Sequence, residues 1–75
     1  MKESILKIIR DVSGKSDVPA EDESLFDSGL LDSFALTDMV AALEETFRIK
    51  VPDSDLNPRK FDTVEKIAVY VESRT

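Results

Sequence analysis

An all-α fold is predicted, a bundle of three main helices and one short helix with a long first loop. Two observations predict it. Apolar residues recur at i, i+3, i+4, i+7 in three separate segments, the signature of the buried stripe on a surface helix. No segment alternates apolar and polar residues as a half-buried strand would. A third observation sets the scale: 75 residues make one small domain, residues 1–75, at the lower end of what packs a core of its own.

The first helix is placed at about 3–14, where Ile5, Ile8, Ile9 and Val12 carry the stripe and Gly14 accepts the left-handed conformation that ends it. A loop of about 18 residues follows, long enough in a compact domain to suggest a function. Its first half, Lys15-Ser16-Asp17-Val18-Pro19-Ala20, is polar and broken by proline. Its second half holds Leu25, Phe26, Leu30 and Leu31, too apolar to leave in water, so it is expected to lie pinned to the core with Gly29 making the turn. The second helix is placed at about 33–48, with Leu36, Met39, Val40, Leu43 and then Phe47 on its stripe. A brief third helix is expected within 53–61, anchored by Leu56 and Phe61, with Asn57 and Pro58 as one of its two plausible starts. The last helix is placed at about 63–74, with Thr63 as its N-cap and Val64, Ile67, Ala68 and Val71 as its stripe.

Composition removes whole classes of chemistry. The chain has no cysteine, so disulfides and thiolate metal sites are excluded. It has no histidine, the commonest general base and nitrogen ligand. No apolar run suggests a membrane span, and the N-terminus has no signal-peptide core, so a cytoplasmic protein is expected. The formal net charge is −6, but it is unevenly spread: residues 16–47 contain no Lys or Arg, while they carry Asp17, Glu21, Asp22, Glu23, Asp27, Asp32, Asp38, Glu44 and Glu45. Such a region draws basic protein partners and repels nucleic acid and anionic membrane. The plainer reading is that acidic surfaces keep small proteins soluble.

One short segment concentrates the interest. Gly29-Leu30-Leu31-Asp32-Ser33-Phe34 puts a serine at the mouth of the second helix, beside unpaired N–H groups and directly after an acid. The plain reading of Ser33 is an N-cap. Three neighbours point further: Leu30-Leu31 fix the entry angle of the chain, Asp32 adds a charge that a serine cap does not require, and Phe34 is a bulky apolar residue off the buried stripe. Phe34, Thr37, Asp38, Ala41 and Glu45 form a second helical series, which with Glu44 reads as a docking surface; the alternative is a solvated face with one stray phenylalanine. Asp53-Ser54-Asp55-Leu56-Asn57 begins like a calcium loop, but Pro58 and Val64 stand where its glycine and closing glutamate belong. The acid pairs Glu21-Asp22-Glu23 and Glu44-Glu45 have no evident apolar pocket to raise a pKa, so the chain is read as no enzyme.

The segment from Leu25 to Phe34 resembles the attachment motif of the acyl carrier protein family, and the likeness continues through Ala42–Phe47, Ile49–Asp53 and Phe61–Ile67. The resemblance implies a four-helix bundle and a 4′-phosphopantetheine arm from coenzyme A, moved onto Ser33 by a phosphopantetheinyl transferase, with Asp32 as motif partner. It implies a monomer that carries acyl groups as thioesters. A loading ligase or synthetase would charge it, and acyl-processing or acyl-transfer enzymes of fatty acid, polyketide or related lipid biosynthesis would receive the cargo, all docking on the second helix. The sequence departs from the primary fatty acid carriers at Phe34, Ala35, Thr37 and Arg48, which suggests a dedicated carrier serving one pathway. Asp32-Ser33-Phe34-Ala35 is also similar to carriers of D-alanine or other amino acids loaded by an adenylating ligase. A competing reading of another class is an acidic helical interaction module that needs no cofactor.

Overall fold

The computed structural model describes residues 1–16 and 18–75; Asp17, one of the acids in the stretch without Lys or Arg, lies outside the described residues. Three α-helices form in chain order: α1 (Lys2–Ser13), α2 (Ser33–Phe47) and α3 (Val64–Arg74). A single 3-10 turn, Asp53–Asp55, lies between α2 and α3, and no strand occurs among the described residues. The result is a small helical bundle of the acyl carrier type. No helix among the described residues is long and apolar enough to cross a membrane.

The three apolar stripes meet in one core. Ile5, Ile8 and Ile9 from α1, Leu36, Met39, Val40 and Leu43 from α2, and Val64, Ile67, Ala68 and Val71 from α3 are all buried, and α1 packs against both other long helices. Val12 and Phe47, at the ends of their stripes, are half-buried. Gly14 ends α1 with φ 69°, its N–H donating to the Arg10 carbonyl, as the left-handed cap requires.

The long loop is pinned, as its apolar residues demand. Leu25, Leu30 and Leu31 are buried and Phe26 is half-buried. Polar bonds lace this segment to the entry of α3. The Leu25 N–H donates to the Asp62 carbonyl at 2.6 Å, and the Ser24 hydroxyl donates to Asp62 Oδ1 at 2.7 Å. The Glu65 N–H in the first turn of α3 donates to the Glu21 carbonyl. Thr63, itself buried, caps α3 by accepting from the Lys66 N–H at 3.0 Å.

The segment between α2 and α3 departs from expectation. The short helix is one 3-10 turn, and residues 57–61 form a separate tight turn in which Asn57 Oδ1 accepts from the Arg59 N–H at 2.8 Å. Pro58, which has no N–H to donate, keeps the two turns from merging into one helix. Phe61 is fully buried as expected, whereas Leu56 is exposed and anchors nothing. The anchoring on this side comes instead from Asp55, whose carboxylate accepts from Lys60 Nζ at 2.7 Å, the Tyr70 hydroxyl at 2.7 Å and Arg74 Nη2 at 2.9 Å. The Phe61 and Tyr70 rings meet edge to face at 4.9 Å, and the Arg74 guanidinium lies over Tyr70.

Candidate functional site

The site is built by the chain's approach to α2. Gly29 takes φ 82°, a conformation open to glycine at little cost, and its N–H donates to the Phe26 carbonyl at 3.2 Å. Leu30 and Leu31 then turn into the core, and the next residues emerge at the surface. Asp32 is extended, and its Oδ1 accepts from the Ala35 N–H at 2.8 Å. Asp32, not Ser33, is the N-cap of α2. The sequence reading held a cap at this point and a surplus acid beside it; the structure gives the capping task to the acid.

That division leaves Ser33 exposed as the first helical residue. No hydrogen bond joins its hydroxyl to another described residue, and the N–H groups of Ser33 and Phe34 donate to no described residue. An exposed hydroxyl at the positive end of a helix, with two free N–H donors beside it, suits a covalently attached phosphodiester: the dipole and the donors both favour the negative charge. The chain's own residues offer no thiol for such an arm to replace.

The second series on α2 lies where the spacing put it. Phe34 is 84% exposed, and Thr37, Asp38, Ala41 and Glu45 are exposed with it, on a face apart from the buried stripe. Glu44, one turn on from Ala41, borders this face. It is half-buried, and its Oε2 accepts from the Val51 N–H at 2.9 Å, tying the end of α2 to the chain that leaves it. Arg48 makes that exit in the left-handed conformation, φ 54°, its N–H donating to the Glu44 carbonyl. Among the described residues no cluster of acidic groups is arranged to hold a metal ion.

Sequence reasoning missed the cluster around Asp55. The Lys60 ammonium and the Tyr70 and Arg74 donors hold its carboxyl down from its ordinary 3.8 to about 2. Burial and the neighbouring carboxylate push the Tyr70 hydroxyl up. The spacing of Tyr70 and Arg74, one turn apart on a predicted helix, was the available signal that both face one partner.

Comparison with known proteins agrees with this geometry. The family model for the phosphopantetheine attachment site matches residues 3–71. The chain is 42% identical over 72 residues to the D-alanyl carrier protein of Lactobacillus acidophilus, covering 96% of this chain and 91% of the relative. It is 36% identical to the D-alanyl carrier protein of Lactococcus lactis subsp. cremoris, covering all of this chain and 96% of the relative. It is 47% identical over 51 residues to that of Streptococcus pyogenes, covering 68% and 65%. With the family model matched along nearly the whole bundle and these relatives along most of their length, the chain belongs to the phosphopantetheine-bearing carrier protein family, a family of non-catalytic carriers.

Proposed function

We propose that this chain is an aminoacyl carrier of the D-alanyl type, a single carrier domain over residues 1–75 with the 4′-phosphopantetheine arm on Ser33. The observation that carries the cargo is the end-to-end likeness to D-alanyl carrier proteins, at 42% identity over 96% of this chain. Support for Ser33 is its exposure at the mouth of α2 together with the capping role of Asp32, which holds the first turn in place without engaging the serine. Fatty acid, polyketide or related lipid chains were the first expectation from the motif, with the aminoacyl carrier as the alternative; the names of the relatives favour that alternative.

The arm, once in place, supplies the thiol on which cargo is held as a thioester. This chain's residues do the rest. Asp32 fixes the backbone of the first turn, so the Cα of Ser33 is held at the mouth of α2 while its hydroxyl stays free to react. Leu30 and Leu31 lock the approach from inside. Phe34, Thr37, Asp38, Ala41 and Glu45 form the surface a phosphopantetheinyl transferase and an adenylating ligase grip. Asp38, Glu45 and the acids of the long loop speed encounter with basic enzyme faces while leaving release fast, as a shuttle requires. A monomer in the cytoplasm, where coenzyme A and ATP are at hand, completes the reading.

The test is loading. The chain is converted to the arm-bearing form, then offered either D-alanine with ATP and an adenylating ligase of the D-alanyl type, or a fatty acid with ATP and an acyl carrier synthetase. Intact mass is expected to show one alanyl residue gained and no fatty acyl group. Efficient fatty acylation with no alanyl gain would overturn the cargo assignment.

A further inference from the structure

A cleft of about 330 Å³ opens beside the mouth of α2, between the end of α1 and the loop that enters α2. Asp32 and Phe34, the residues on either side of Ser33, line it, and so does Asp38. Its one cationic lining residue is Lys15. Lys15 is the last basic residue before the stretch 16–47, which has none. Its Nζ donates to the Gly29 carbonyl at 3.1 Å, a bond that ties the exit of α1 to the turn before α2. None of the carboxylates among the described residues forms an ion pair with it. An ammonium has three donors, so the bond to Gly29 leaves two for a ligand.

The charges in this cleft set a problem that Lys15 answers. A phosphodiester on Ser33 brings a permanent negative charge next to Asp32 and close to Asp38. The Asp32 carboxylate is only partly offset by its bond from the Ala35 N–H, and the positive helix end acts over one turn. The cation on the same cleft is Lys15, carried on a flexible stem and tethered there by its bond to the Gly29 carbonyl. We propose that Lys15 is a positioning residue for the arm, its ammonium pairing with the phosphodiester on Ser33 and laying the root of the arm along this cleft. The proposal rests on the reading of Ser33 as the attachment point. The expected consequence is a root that is ordered at low salt and released at high salt, while the thiol end swings freely.

The experiment uses the arm-bearing full chain, with attachment at Ser33 first verified by peptide mass. The ³¹P transverse relaxation rate of the phosphodiester is then measured for wild type, Lys15→Met and Lys15→Arg. Ordering of the phosphate by Lys15 is expected to show as a rate about twofold lower in Lys15→Met than in wild type, retained in Lys15→Arg, and lowered by added salt in wild type and Lys15→Arg but not in Lys15→Met. Equal rates in wild type and Lys15→Met, with the arm in place, would overturn the role of Lys15 and leave the attachment reading standing. An arm that fails to attach at Ser33 would overturn the attachment reading, and this inference with it.

Discussion

At the scale of single residues, Asp32 and Ser33 divide two tasks that one serine could have combined. Asp32 accepts the Ala35 N–H, so it holds the helix start, and Ser33 is free of that duty. Substitution should separate the two. Asp32→Ala should lower unfolding free energy by about 1 kcal/mol in a denaturant titration, the usual value of a lost N-cap. Ser33→Ala should change it by no more than about 0.5 kcal/mol, as for an exposed side chain with no partner, while removing all acceptance of the arm. A loss of stability at Ser33 comparable to that at Asp32 would mean that the serine caps after all. Phe34 permits a similar separation. It is 84% exposed, so Phe34→Ala should leave melting unchanged. Ligase loading should fall roughly tenfold in kcat/KM if Phe34 is an aromatic anchor for the enzyme; unchanged loading would return it to the class of stray exposed apolar residues. The spacing placed Ser33 at the mouth of α2 and the second helical series on an exposed face, but not the cap. Both Asp and Ser are good caps, and which one takes the N–H depends on a backbone angle one residue wide.

At the scale of elements, the three long helices were legible because each repeats a stripe of apolar residues over at least two turns. The structure begins and ends them within a residue or so of the expected limits. The segment between α2 and α3 was not legible in the same way. Its order comes from Asp55, a polar residue whose three donors lie 5, 15 and 19 positions further along the chain. Periodicity says nothing about such a contact. The cluster has a pH signature. With the Asp55 carboxyl held at about 2 in the fold against its ordinary 3.8, the folded state binds its proton less readily than the unfolded state does. The resulting stability is fully present above about pH 4 and is lost as pH falls toward about 2. Asp55→Asn should therefore melt below wild type at neutral pH, and the two melting temperatures should converge between pH 4 and pH 2. A gap that stays constant across that range would show that Asp55 acts through shape and neutral hydrogen bonds alone.

At the scale of the whole molecule, charge is distributed along the chain in a way that neither the fold nor the core requires. Among the described acids of residues 16–47, Glu21 pairs with Lys2, and the other ion pairs seen among the described residues involve Asp55. Uncompensated like charge should raise the free energy of the compact state and be screened by salt. Melting temperature is therefore expected to rise as sodium chloride is added from low to near-physiological concentration, and a flat response would mean that these acids are better separated than their spacing suggests. On the proposed function, the same field that costs stability draws basic enzyme faces, which makes the cost intelligible. The helical fold and the phosphopantetheine arm were readable from spacing and from the motif around Ser33. The cargo was not, because a group on a swinging arm is chosen by the enzymes that load it and leaves little mark on the bundle.

The most direct measurement is peptide mapping by mass spectrometry after the chain is treated with coenzyme A and a broad-specificity phosphopantetheinyl transferase. The account predicts one phosphopantetheine on the peptide containing Ser33 and none on the Ser33→Ala chain. An unmodified wild-type chain, or a modification that survives loss of Ser33, would contradict it.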